Sequence, residues 1–191
     1  MHIQIIDNFL PKKEHLHWQH LLTHSDFSWY LSGEKNTVEA TEARKKKKEY
    51  KNINEYIQFT HIFYFKDNKI NKVNSNHFPL IENLCKHFIK KQKLKKLNIL
   101  RAKANLQPRI QNAKKYEHNT PHVDFLDDHM VLLYYVNNSD GDTHFFKDKK
   151  IIKSVSPKAN RLVVFDGKLV HTGSHPIKSI YRIVLDIDCL F

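Results

Sequence analysis

The chain has 191 residues, 40% apolar, 27% charged and 12% aromatic, which suits a single globular domain with a hydrophobic core and excludes a disordered polymer. The formal net charge of +12 raises nucleic acid as a partner, but 27 Lys stand against only 5 Arg, the better residue for gripping phosphate and base edges. Two cysteines, Cys85 and Cys189, exclude a disulfide framework or a four-cysteine zinc site, and no apolar run approaches the ~20 residues of a membrane-spanning helix.

Residues 3–6 (Ile-Gln-Ile-Ile) suit a first strand, and Pro11 suits the start of a helix over 11–24 carrying Leu16, Trp18, Leu21 and Leu22. Nothing in Met1-His2-Ile3-Gln4-Ile5-Ile6-Asp7 reads as a signal peptide, so the expected compartment is a reducing cytoplasm. Residues 32–54 are polar, with Gly33, Thr37, Thr41 and the run Lys45-Lys46-Lys47-Lys48 between Glu42 and Glu49, and predict a loop or hairpin. The alternation in Ile57 through Phe65 predicts a strand, and Phe78, Leu80, Ile81, Leu84, Cys85, Phe88 and Ile89 fall at helical spacing over 77–92. A second lysine cluster, Lys90 to Lys96, closes that helix and reads, like the first, as a solvated face.

From residue 97 the pattern turns to strands: 97–106, 130–136, a segment at His144-Phe145-Phe146 with a hairpin near Asp148-Lys149-Lys150, 161–166 and 181–191. Asn137 to Asp142 and Asp166-Gly167 are turns by composition. Strands following a helical amino-terminal third predict a mainly β jelly roll with helices packed on one sheet. Residues 1–96 would support a catalytic core at 97–191 within one domain.

His122-Val123-Asp124 places two metal-ligand types two residues apart, on one side of an extended segment. About one His-x-Asp is expected by chance here, and a second occurs at His24-Ser25-Asp26, so the tripeptide alone carries little weight. Its context carries more. His171 follows 47 residues after Asp124, and Arg182 follows 11 residues later inside the apolar closing strand. Two histidines and one carboxylate are the donor set of non-haem iron(II) oxygenases, with positions left open for small molecules. An arginine in an apolar strand needs an anion, either a neighbour such as Asp186 or Asp188 or the far carboxylate of a bound 2-oxo acid.

These residues carry a resemblance. Asn160 through Gly167, His171-Thr172-Gly173-Ser174-His175-Pro176 and Arg182 resemble the distal motif of the iron(II)- and 2-oxoglutarate-dependent dioxygenases, in the prolyl 4-hydroxylase-like branch. Tyr134-Tyr135-Val136-Asn137 and Gly141 through Phe146 are similar to its middle strands, while Ile5 through Leu10 and Gln58-Phe59-Thr60-His61 are similar to small phage and marine bacterial members. The resemblance implies a double-stranded β-helix (jelly-roll, cupin-like) core. It implies Fe(II) on His122, Asp124 and His171, and the 2-oxoglutarate 5-carboxylate on Arg182 with Tyr135 and Thr143, with Tyr134 as the alternative tyrosine. Relatives often carry a tyrosine before the proline at 108; here Gln107 stands in that place, where its amide can still hydrogen-bond.

The implied activity uses O2 and 2-oxoglutarate to hydroxylate a C–H bond, releasing succinate and CO2. The substrate would be a protein side chain, prolyl by default, or a small amino-acid-like molecule, in the host cytoplasm if the gene is viral and with no membrane partner. Three other readings stay open: demethylation of nucleic acid, a non-catalytic jelly-roll binding module, and a non-redox metalloprotein. Substrate contacts are expected from 27–56, 66–76 and 109–121, with Trp29 and Tyr30 either at the mouth or packed under the first helix.

Overall fold

The computed structural model describes residues 3–32, 50–54, 56–66, 71–115 and 117–191; the lysine run at 45–48 lies outside them. The elements in chain order are β1 (Gln4–Ile6), α1 (Lys12–Thr23), β2 (Tyr30–Ser32), β3 (Gln58–Lys66), β4 (Asn71–Val73) and α2 (Phe78–Gln92). They continue with β5 (Asn98–Pro108), β6 (Met130–Tyr135), β7 (Thr143–Lys147), β8 (Lys150–Val155), β9 (Arg161–Asp166), β10 (His171–Gly173) and β11 (Tyr181–Leu190). The major sheet runs β1-β9-β6-β11-β5-β3-β2 with β4 beside β3, and the minor sheet runs β10-β7-β8; every pairing is antiparallel.

Both predicted helices form. In α2, Ile81, Leu84, Cys85 and Phe88 are buried at one-face spacing, and the helix stops at Lys93, which takes a left-handed φ of 55°. In α1, His15, Trp18 and Leu22 are buried. Pro11 sits at the N-cap, one position ahead of the helix. Three short strands escape sequence reading: β2, β4 and β10 have three residues each, too few for a period-two signal.

Alternation along the major sheet separates two cores. Leu132, Tyr134, Leu162, Val164, Ile183, Leu185 and Ile187 face the helices with Ala102 and Ala104. Val131, Leu133, Tyr135, Val163, Phe165 and Val184 face the opposite way and meet Phe145 and Val155 of the minor sheet, forming the barrel interior. At about 1.5–3 kcal/mol per fully buried large apolar side chain, these two layers dominate the stability of the fold.

Polar anchors join the amino-terminal segment to the barrel. Asn160, at φ 61°, accepts from the Leu10 amide and donates to the Leu10 carbonyl through its side chain. The Tyr134 hydroxyl meets His15 Nδ1 at 2.7 Å and Asn160 Oδ1 at 3.1 Å, on the helix side of the sheet. Trp29 packs inward, donating to the Leu22 carbonyl at 3.2 Å, whereas Tyr30 is exposed on β2. Among the described residues no helix is long and apolar enough to cross a membrane.

Candidate metal and anion site

His122 and His171 are brought together by the backbone. They form an isolated antiparallel bridge, with the His122 amide donating to the His171 carbonyl at 3.0 Å and the reverse bond at 2.9 Å. His122 therefore lies on a bridged loop rather than in a strand of its own, and a bend at Asp124 returns the carboxylate toward the two rings. One ligand-type atom from each of His122, Asp124 and His171 falls within 4.8 Å of the others.

Each ring is set for metal binding by its outer nitrogen. His122 Nδ1 meets the Thr120 carbonyl and His171 Nδ1 the Leu169 carbonyl, both at 2.9 Å. A carbonyl only accepts, so each Nδ1 carries a proton, the tautomer in which the Nε2 of a neutral ring can ligate a metal. His171 Nε2 stands 3.2 Å from Asp124 Oδ2, a buried oxygen that accepts no hydrogen bond. A cation held by both atoms would satisfy a nitrogen and a carboxylate oxygen at that distance. The donor set, two neutral imidazoles and one carboxylate, fits iron(II).

The other carboxylate oxygen of Asp124 is taken by cations. Arg101 Nη2 donates to Oδ1, and Lys103 Nζ lies 3.5 Å from the same atom. Behind them, Arg101 Nε bonds Asp188 at 2.8 Å and Lys103 bonds Asp186 at 3.1 Å. Burial alone would raise the Asp124 pKa, but the Lys103 and Arg101 charges hold it well below the ordinary carboxylate value. Asp188 is driven the other way, upward, by its burial and by the Asp124 charge. The alternative partners considered for Arg182, Asp186 and Asp188, are thus committed to Lys103 and Arg101.

Arg182 occupies a separate pocket on the same face of β11. It is 4% exposed, and its charged head ends on neutral groups: Gln107 Oε1 at 2.6 Å and Thr143 Oγ1 at 2.8 Å. The Tyr135 ring lies 5.6 Å from the guanidinium carbon, and the Tyr135 hydroxyl donates to Thr143 at 2.7 Å. Among the described residues, Arg182 has no carboxylate partner, and its Nε has no hydrogen bond at all. Burial accordingly pushes its pKa below the ordinary guanidinium value. Gly173 closes one wall, since a Cβ there would stand 3.2 Å from both Arg182 Nη1 and Gln107 Oε1. The structure thus brings Tyr135, Thr143, Gln107 and Arg182 together and turns Tyr134 to the other side of the sheet.

Sequence reasoning missed Arg101 and Lys103, and read Asp186 and Asp188 only as candidate partners of Arg182. Their signal was available: two charges two residues apart on each strand, Arg101 and Lys103 on β5 and Asp186 and Asp188 on β11, which the pairs Asp186 with Lys103 and Asp188 with Arg101 bring side by side. Beyond them the same face of β3 is open, with Ile62 opposite Lys103, Phe65 opposite Arg101, and Tyr30 opposite Thr60, all three apolar rings or chains exposed.

No protein-family model and no curated protein matches the sequence. Solved structures match in fold over nearly the whole chain. A 2OG-Fe(II) oxygenase family oxidoreductase from Burkholderia pseudomallei superposes with a TM-score of 0.69 at 11% identity, covering 98% of this chain and 84% of that one. A prolyl hydroxylase from Trichoplax adhaerens, solved with a hypoxia inducible factor peptide fragment, gives 0.60 at 13% identity, covering 98% and 83%. The collagen prolyl hydroxylase vCPH of Paramecium bursaria Chlorella virus-1, solved with 2OG, gives 0.55 at 15% identity, covering 99% and 96%. The chain therefore has the jelly-roll fold of the 2OG-Fe(II) oxygenases, prolyl hydroxylases among them.

Proposed function

We propose that this protein is an iron(II)- and 2-oxoglutarate-dependent oxygenase, acting as one domain, that hydroxylates a C–H bond of a peptide side chain or a small amino-acid-like molecule. One observation carries the reading beyond fold: a buried arginine with only neutral partners stands in the same barrel as a two-histidine, one-carboxylate cluster. A desolvated cation without an anion is costly, and a bound dicarboxylate removes that cost.

In this reading His122, Asp124 and His171 hold the metal. Arg182 takes the 5-carboxylate of 2-oxoglutarate through its guanidinium, with Thr143 and the Tyr135 hydroxyl beside it and Gln107 setting the guanidinium plane. Iron bound there supplies the oxidation: 2-oxoglutarate and O2 become succinate and CO2, and the second oxygen atom enters the substrate as hydroxyl. The apolar walls from Val131, Leu133, Phe145, Phe165 and Val184 exclude water from the site. The exposed ledge of Tyr30, Ile62 and Phe65, on the sheet face that carries Arg101 and Lys103, is the apolar surface available to the substrate. The peptide bound to the Trichoplax enzyme supports a peptide-sized substrate as the first class to try.

The test is spectroscopic. Iron(II) and 2-oxoglutarate added without oxygen should give a visible metal-to-ligand charge-transfer band, absent in His171→Ala and weakened in Arg182→Ala. Bound iron with no band would move the protein to non-redox metal chemistry, and no iron binding would leave a jelly-roll binding module.

A further inference from the structure

The proposal here rests on the metal reading above and concerns residues outside the ligand set. We infer that Arg101, seconded by Lys103, is a positioning residue that holds the metal-binding carboxylate to a single oxygen. Four observations lead there. Arg101 Nη2 and Lys103 Nζ converge on Asp124 Oδ1, and neither reaches Oδ2. Oδ2 is buried, accepts no hydrogen bond and faces His171 Nε2. The cations are themselves anchored from behind, Arg101 by Asp188 and Lys103 by Asp186, so they cannot swing away without breaking a second buried pair. The Phe125 ring, 4.7 Å from the Arg101 guanidinium carbon, closes the remaining side.

The consequence is chemical. A carboxylate has two donor oxygens and can close both on one divalent metal. Pinned at Oδ1, Asp124 offers one. The coordination position that the second oxygen would fill stays available to the keto and carboxylate oxygens of a 2-oxo acid. Neutral partners would not achieve this, because a metal ion draws a carboxylate oxygen away from a neutral donor more readily than from two charged ones.

This separates two quantities that a merely structural role would move together. Arg101→Met removes the main clamp and a positive charge near the metal, so divalent metal binding is retained. Oδ1, then held by Lys103 alone, takes up the open position more readily, and 2-oxoglutarate binds about tenfold more weakly, the low end of what losing an outer partner costs the activity of a metal site.

The experiment uses the full chain loaded with cobalt(II) as the probe metal. The visible d–d absorption reports coordination, and 2-oxoglutarate is titrated into the cobalt protein. Expected for Arg101→Met are saturable cobalt binding, a weaker d–d band as the coordination number rises, and the tenfold loss of 2-oxoglutarate affinity. An Arg101→Met protein with the wild-type spectrum and wild-type 2-oxoglutarate affinity overturns the positioning role. So does one that loses cobalt and 2-oxoglutarate together while remaining folded. If Arg101→Met does not fold, Lys103→Met reads the same direction at smaller size, and unchanged 2-oxoglutarate binding there overturns the proposal. A wild-type protein that binds no cobalt fails the metal reading itself, which no Arg101 result can imitate.

Discussion

Gln107 and Arg182 face each other directly across β5 and β11, and the side-chain oxygen of one accepts from Nη1 of the other at 2.6 Å. The amide therefore satisfies a buried guanidinium that lacks a carboxylate. Gln107→Leu leaves Nη1 unpaired and should lower the stability of the ligand-free protein by about 1–3 kcal/mol. Saturating 2-oxoglutarate should recover more melting temperature in this variant than in the wild type. Equal ligand shifts in the two proteins would show that the amide and the dicarboxylate do not share the guanidinium.

Arg182→Met tests the same pocket from the other side. Replacing a buried charge that has no counter-ion with an apolar chain of similar length removes a desolvation cost. The variant should melt at or above the wild-type temperature while showing no 2-oxoglutarate-induced shift. In the wild type, ligand at 100 times its dissociation constant should add about 2.7 kcal/mol. A variant that melts well below the wild type would mean that Arg182 has an internal anion after all.

Asp124→Ala and His171→Ala should both abolish metal binding, but at different structural cost. Asp124 accepts from Arg101 and Lys103, which keep Asp188 and Asp186 after its removal, so what is lost is charged hydrogen bonding worth about 1.5–3 kcal/mol. His171 gives up one hydrogen bond to the Leu169 carbonyl, about 1 kcal/mol, plus its packing against Phe165. Urea unfolding of the two metal-free variants should rank them in that order; the reverse order would contradict the role of the cation pair.

The metal-free protein should lose stability as pH falls below 7. Burial lowers the pKa of His15, His61, His118, His144 and His175 from 6.5. Below 6.5 the unfolded chain takes up protons that these folded imidazoles refuse, so the unfolded state gains, and the loss levels off once the folded rings titrate too. The urea midpoint should drop between pH 7 and 5. His61→Gln should shallow that slope, since His61 is wedged between the Ser28 carbonyl and the Ser75 hydroxyl. A midpoint independent of pH over this range would refute it.

Gly167 is required for space. Its φ is not positive, but a Cβ there would lie 2.0 Å from Nε2 of the His129 ring. Gly167→Ala should cost about 1–3 kcal/mol through overpacking. His129→Ala should relieve part of that cost in the double variant, giving a coupling energy that a turn requirement at 167 alone would not produce.

How much of this was legible in the sequence follows the length scale of each signal. Helices α1 and α2 and strand β3 show their periods over many residues, β6 and β9 stand out as apolar runs, and the order His122, Asp124, His171, Arg182 could be read because those residue types are costly where they stand. The face that Tyr135 and Tyr134 each take was open in sequence, since two adjacent tyrosines on a strand must split and only the pairing partners decide which turns inward. The cation pair was hidden for a related reason. Arg101 and Asp188 are 87 residues apart, and only the register of β5 on β11 makes them neighbours. The bridge between His122 and His171 belongs to the same class of long-range facts.

The placement of Arg182, Asp186 and Asp188 on one face of β11 has a consequence for how this chain can change. Side chains alternate with a period of two, so inserting or deleting one residue between Arg182 and Asp186 would put the arginine and the two aspartates on opposite faces of the sheet. Substitutions in β11 can be tested singly, but the spacing from Arg182 to Asp188 is fixed, whereas the strand already shifts register just beyond Asp188. The turn between β7 and β8 is the opposite case. Asp148 and Lys149 both sit at left-handed φ, exposed, at the far end of a hairpin whose strands carry no metal ligand. Extra residues there would lengthen a loop and leave the barrel in register, which makes it the natural point for inserting a reporter or a tether.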